Sequence, residues 1–125
     1  MNRWSYVRDA AFVLVSRNEC YRELHSALMP YRFAFGIGGL EHLIDLLRNG
    51  PARECLDSLP LSRDPAFAAI LDLEGAIEAV IARDDDVMRG RFTRTLEMCV
   101  AALETACMQT TLPRELCTAE IEAGR

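Results

Sequence analysis

The sequence predicts an all-α protein, a compact bundle of about five or six helices with short loops, and three observations lead to that prediction. Apolar residues recur at steps of three and four along most of the chain, no segment alternates over the length of a strand, and Gly or Pro stands at most joints. A chain of 125 residues, 50% hydrophobic and 26% charged, suits one soluble core. We therefore expect a single domain over residues 1–125.

The first predicted helix runs from Trp4 to Met29, where a proline follows. Ser16 and Glu19 have the spacing of a capping box, but no Gly or Pro intervenes, so one continuous helix is favoured over two. Residues 10–15 are apolar on every side of this helix. We expect that stretch to be buried all round, by the domain itself or by another subunit.

Two shorter helices are predicted after a linker at residues 31–39, one over residues 40–49 and one over residues 51–59. The linker ends in Gly36-Ile37-Gly38-Gly39, which superficially resembles a phosphate-binding loop. Because Glu41 would lie in the following turn and no βαβ unit surrounds the loop, we interpret these glycines as a turn that needs positive φ.

The fourth predicted helix starts with a cap at Asp64 and Pro65 and runs to about Arg83. Its apolar stripe is Phe67, Ile70, Leu71, Ile77 and Ile81. A second stripe of small residues would let another helix, of this chain or of a dimer, approach closely; its members are Ala68, Gly75, Ala79 and Ala82. The alternative is that alanine merely suits an exposed helix.

The fifth predicted helix covers residues 87–109, with the aspartates before it as caps. Its inward stripe is Met88, Phe92, Leu96, Cys99, Leu103 and Ala106. A final short helix near Pro113 would direct Leu116, Cys117 and Ile121 inward.

The charge of the chain is unevenly distributed. All 14 basic residues are arginine, which excludes a phosphate-binding or Schiff-base lysine, and the formal net charge of −5 argues against binding nucleic acid. Residues 61–86 hold two arginines against seven acids. This segment is either an internally compensated face, neutralised in part by Arg89, Arg91 and Arg94, or a docking surface for a basic partner. The predicted partner-binding acids are Asp72, Glu74, Glu78, Asp84, Asp85 and Asp86.

Aromatic residues interspersed with arginine are concentrated in the first third of the chain, and both types are common at interface hot spots. We predict that Trp4, Arg8, Phe33 and Phe35 contribute to partner binding. Core packing is the alternative for each of these side chains.

The five cysteines show no CxxC spacing, so neither a metal site nor a cofactor is predicted, and free thiols in a reducing cytoplasm are expected. No secretory leader or membrane-spanning run is evident. His25 and His42 are the only histidines, and neither has a nucleophile beside it in the sequence. No catalytic residue is therefore predicted.

These features predict a non-enzymatic cytoplasmic protein that binds and modulates a larger protein partner, such as a transcription regulator or a defence complex, by inhibiting or sequestering it. A homodimer is expected, without a nucleic-acid or membrane partner. The alternative is a small enzyme or small-ligand binder with a Cys/His pocket in the bundle.

Overall fold

The computed structural model describes the backbone of residues 3–109 and the side chains of residues 10–109. The elements are α1 (Arg3–Leu28), a 3-10 turn (Met29–Arg32), α2 (Ile37–Asn49), α3 (Pro51–Asp57), α4 (Pro65–Ala82) and α5 (Asp86–Met108). Residues 3–109 contain no strand, and four of the helices exceed ten residues. The all-α bundle is confirmed. The helix predicted near Pro113 lies outside the described residues.

Local chemistry sets the helix boundaries. α1 continues without a break past Ser16, as predicted. Asp64 caps α4 by accepting a hydrogen bond from the backbone N–H of Ala66, and Asp85 caps α5 by accepting one from Met88. These side chains satisfy N–H groups that the first turn of a helix leaves unpaired.

The glycine-rich linker differs from the prediction. α2 begins at Ile37, earlier than expected, and no glycine within residues 3–109 has a positive φ. Gly38 and Gly39 therefore lie in the first turn of α2 instead of forming a left-handed turn. A Cβ on Gly39 would lie 3.5 Å from Tyr31 Cε1, and Tyr31 Oη donates a hydrogen bond to the Gly39 carbonyl. The distance of 3.5 Å is an ordinary van der Waals contact, so an alanine would also fit at this position.

The core lies where α4 and α5 pack against each other, with α1 and α2 completing it. α1 and α5 run antiparallel, because Arg32 pairs with Glu97 and His25 with Glu104. The predicted inward stripe of α5 is confirmed from Phe92 to Ala106. The largest fully buried apolar side chains include Tyr21, Leu24, Leu28, Leu40, Leu43, Leu47, Ile70, Leu73 and Phe92.

One prediction of burial is wrong, and another is met only in part within this chain. Leu71 and Ile81 on α4 are exposed, because the core takes the neighbouring face with Leu73, Ala76 and Val80. Within residues 10–15, Val13 is buried, but Phe12 is 66% exposed and Val15 is 57% exposed, so their burial by another subunit stays a prediction.

A buried polar cluster joins three helices. Arg17, with 0% exposure, lies with Nη1 3.3 Å from Asp64 Oδ2, and Tyr21 Oη donates to the same oxygen at 2.8 Å. Arg17 Nη2 donates to the Ala106 carbonyl at 3.1 Å and to Gln109 Oε1 at 2.9 Å. Burial, and then the charge of Asp64, raises the pKa of Tyr21. In the described part of the chain, no buried side-chain nitrogen or oxygen lacks a hydrogen-bond partner.

Within residues 3–109, no helix has both the length and the apolar character needed to cross a bilayer.

Candidate functional site

The acids of the 61–86 segment are largely paired within the chain. Glu74 is 6% exposed and pairs with Arg53, while Arg48 reaches Glu74 at 3.9 Å and pairs with Glu78. Glu74 therefore faces the protein's own arginines and not solvent. The buried Asp64 pairs with Arg17.

The aspartates between α4 and α5 are also engaged. Arg89 donates to both carboxylate oxygens of Asp84, at 2.5 and 3.0 Å, and this contact lowers the pKa of Asp84. The backbone hydrogen bond from Met88 lowers the pKa of Asp85, which also pairs with Arg83. Five of the seven acids thus contact an arginine. Among the described residues, only Asp72 and Asp86 of this segment have no cation within 4.0 Å, which favours the internally compensated interpretation.

The small-residue stripe of α4 lies beside α5 of the same chain. Gly75 and Ala79 are half-buried, whereas Ala68 and Ala82 are exposed. A Cβ on Gly75 would lie 3.9 Å from Arg91 Nη2, an ordinary van der Waals distance, so a guanidinium of α5 lies beside this position and an alanine would also fit. α5 is therefore a helix that this stripe approaches.

The predicted aromatic contacts separate in the fold. Phe35 packs edge-on against Phe92, with ring centroids 4.7 Å apart, and the Arg89 guanidinium lies 5.1 Å from the Phe35 ring. Phe33 is exposed. Trp4 and Arg8 lie on α1, in the part whose side chains are outside the described residues.

A groove of about 470 Å³ lies between α1 and α5 and brings Cys and His side chains together. Its lining residues are Arg22, His25, Ser26, Glu104, Cys107 and Met108. His25 Nε2 lies 2.9 Å from Glu104 Oε1, and Cys107 Sγ donates to the Asn18 carbonyl at 3.8 Å. The lining residues of α1 and those of α5 are about 80 residues apart in the chain, so no local motif could have predicted this grouping.

The thiol and the imidazole of this groove are not arranged for nucleophilic catalysis. Burial raises the pKa of Cys107, although Arg22 and Arg17 act in the opposite direction, so the thiol form is favoured over the nucleophilic thiolate. His25 is engaged with Glu104 and not with the thiol. No cluster of three metal-ligating side chains occurs in the part of the chain that the structure describes. His42 is exposed on α2 and does not line the groove.

The outer face of α5 carries a continuous exposed stripe that the sequence analysis missed. Its members recur at steps of four and three, and all seven are exposed: Val87, Arg91, Arg94, Met98, Ala101, Thr105 and Met108. We call this set the α5 stripe. Val87, Met98 and Met108 are 66%, 70% and 82% exposed. The spacing was visible in the sequence, opposite the inward residues of the same helix.

The two arginines of the α5 stripe have no carboxylate within 4.0 Å among the described side chains. Gly75 lies beneath the Arg91 guanidinium, and a Cβ on Gly90 would lie 3.4 Å from Arg94 Nη1. A depression of about 200 Å³ adjoins the stripe and is lined by Ala69, Asp72, Arg91, Thr95 and Met98.

Comparison with protein-family models, with curated proteins and with solved structures gives no match to this chain. Its function is therefore inferred from its own residues.

Proposed function

We propose that this protein is a non-enzymatic regulator that binds a larger protein partner through the α5 stripe. The observation that supports the proposal is the run of seven exposed positions on one helix face, three of them large and apolar and two of them arginines without an acid. The stripe spans about 30 Å at 1.5 Å per residue. A contact of this length suits an amphipathic helix of a partner.

Burial of the apolar side chains supplies the driving force. Covering an exposed valine or methionine contributes about 1.5–3 kcal/mol each. Methionine adapts its shape to the surface it meets, and two of the three large apolar residues in the stripe are methionines. The depression beside Met98 can receive one partner side chain, as anchor pockets at interfaces do.

The arginines favour an acidic partner segment. Arg91 and Arg94 lie between Val87 and Met98, so a helix that covers those apolar residues brings its own side chains to both guanidinium groups. This polarity is opposite to the basic partner expected from the sequence, because the acids of the 61–86 segment are mostly paired internally. Asp72 and Asp86 are the acids of that segment that a basic group at the edge of the contact could meet.

The proposed effect is that this protein inhibits or sequesters the partner by occupying a surface of the partner. The proposed location is the cytoplasm, where a reducing environment keeps thiols free; Cys20, Cys55, Cys99 and Cys107 are all unbridged.

Affinity capture with three versions of the tagged full-length protein tests the proposal. Met98→Glu places a charge in the α5 stripe, and Leu71→Glu places one at an exposed apolar position of α4 outside it. We expect the wild type and Leu71→Glu to capture one stoichiometric partner and Met98→Glu to capture none. Salt should weaken the binding of that partner. Equal capture by Met98→Glu, or no stoichiometric partner at all, would contradict the proposal.

The α1–α5 groove supports a second candidate, a site for a small ligand or substrate, because it gathers His25, Cys107 and Arg22 around one cavity. A screen of small molecules by thermal shift tests it. A hit whose stabilisation disappears in Cys107→Ala or His25→Ala, with the fold retained, would support the second candidate, and a screen without such a hit would count against it.

A further inference from the structure

The outer face of α1 carries an exposed stripe whose charges are self-complementary. The inner face buries Arg17, Tyr21 and Leu24. On the opposite face, exposed residues recur at steps of three and four: Phe12, Val15, Glu19, Arg22 and Ser26. We call this set the α1 stripe. The half-buried Met29, the first residue of the 3-10 turn after α1, continues the same spacing.

We propose that the α1 stripe is the interface of a homodimer in which the two α1 helices pair antiparallel. The occupant of this face is then a second copy of the chain. The inference is independent of the α5 stripe, which lies on another helix.

The register follows from the charges. Glu19 and Arg22 have no ion-pair partner among the described side chains, although each is exposed. When the two helices run antiparallel with the twofold axis midway between these residues, Glu19 of each copy faces Arg22 of the other. A symmetric contact of this kind repeats every interaction twice. A parallel pairing would instead set Glu19 against Glu19 and Arg22 against Arg22, so the charges select the antiparallel orientation.

The same register pairs the remaining residues of the stripe, of which Phe12, Val15 and Met29 are apolar and Ser26 is polar. Phe12 of one copy faces Met29 of the other, and Val15 faces Ser26, because all these positions follow one heptad spacing. Phe12 and Val15, which their own domain leaves uncovered, would then be covered at both ends of the contact. The second α1 would also lie along the mouth of the α1–α5 groove, since Arg22 and Ser26 line it.

A charge-swap cycle on the full-length protein tests the inference. The measurement is mass by light scattering after gel filtration over a concentration series, with circular dichroism as the check on folding. We expect a dimer for the wild type, and at least a tenfold weaker dimer for Glu19→Arg and for Arg22→Glu. The double variant Glu19→Arg/Arg22→Glu restores the complementary pairs with reversed sign and is expected to recover the dimer.

Two further variants keep the outcome unambiguous. Glu23→Arg reverses an exposed acid beside the α1 stripe and is expected to retain the dimer. If a charge variant fails to fold, Phe12→Ser, which adds no charge, takes its place and is expected to weaken the dimer. A monomeric wild type at every concentration, single reversals that retain the dimer, or a double variant that stays monomeric would each overturn the inference.

Discussion

Arg17 and Arg91 carry the same guanidinium group in opposite surroundings. Arg17 is fully buried and donates to Asp64, Ala106 and Gln109. Arg91 is exposed on the α5 stripe and has no carboxylate within 4.0 Å among the described side chains. The comparison separates arginines that hold the bundle together from arginines left for another molecule. The first kind should control stability and the second kind should control binding.

Removing Arg17 is the change expected to have the largest effect. Arg17→Ala leaves Asp64 as a buried carboxylate without its cation, which destabilises a fold by about 3–5 kcal/mol. Urea denaturation followed by circular dichroism measures the loss. Arg63→Ala, at an exposed arginine beside Asp64, is the matched control, with an expected change below about 0.5 kcal/mol. A decrease in the free energy of unfolding below about 1 kcal/mol for Arg17→Ala would contradict the stabilising role of the polar cluster.

Raising the pH should destabilise the core through its buried thiols. Burial raises the pKa of Cys99 to about 12 from an ordinary 9.0, so above pH 9.0 the unfolded chain loses a proton that the folded protein keeps. The free energy of unfolding therefore falls with rising pH, by about 1.4 kcal/mol per pH unit for this thiol. Denaturation curves between pH 8 and pH 11 measure the slope. Because burial also raises the pKa of Cys20 to about 12, Cys99→Ala should reduce the slope without abolishing it, and an unchanged slope would show that Cys99 does not contribute.

Tyr21 and Tyr31, whose hydroxyls donate hydrogen bonds among the described residues, provide a graded comparison. Tyr21 donates to the buried Asp64 carboxylate, and Tyr31 donates to the Gly39 carbonyl. Hydrogen bonds to charged groups contribute about 1.5–3 kcal/mol and neutral ones about 0.5–1.5 kcal/mol. We expect Tyr21→Phe to lower the free energy of unfolding more than Tyr31→Phe does. The reverse order would mean that the charge of Asp64 adds nothing to its hydrogen bond with Tyr21.

The smallest effect on stability is expected at the α5 stripe. Arg91→Glu/Arg94→Glu should change the free energy of unfolding by less than about 0.5 kcal/mol, since neither guanidinium has an ion-pair partner among the described residues. The same variant should bind the captured partner at least tenfold more weakly. A large loss of stability would show that these arginines belong to the fold instead.

The helices and their caps could be predicted because the signals are local. Asp64 before Pro65 and Asp85 before α5 mark helix starts within a few residues, and both cap as expected. The choice of the buried face of α4 could not be predicted as well. Apolar residues surround much of that helix, so periodicity alone did not show that Leu71 and Ile81 would remain exposed.

The polar cluster and the groove depend on contacts between distant parts of the chain. Arg17 meets Asp64, 47 residues away, and Ala106, 89 residues away. Arginine is rarely buried, so the residue type did not predict the burial of Arg17. One signal was present in the sequence: Arg17 occupies the position between Val13 and Tyr21 on the inward stripe of α1.

Titrating the captured partner into the purified protein in a calorimeter shows whether the α5 stripe is the partner surface. The wild type and Arg91→Glu/Arg94→Glu are measured at two salt concentrations. We expect tight, salt-sensitive binding to the wild type and at least a tenfold loss of affinity in the variant. Equal affinity for both proteins would contradict the proposal.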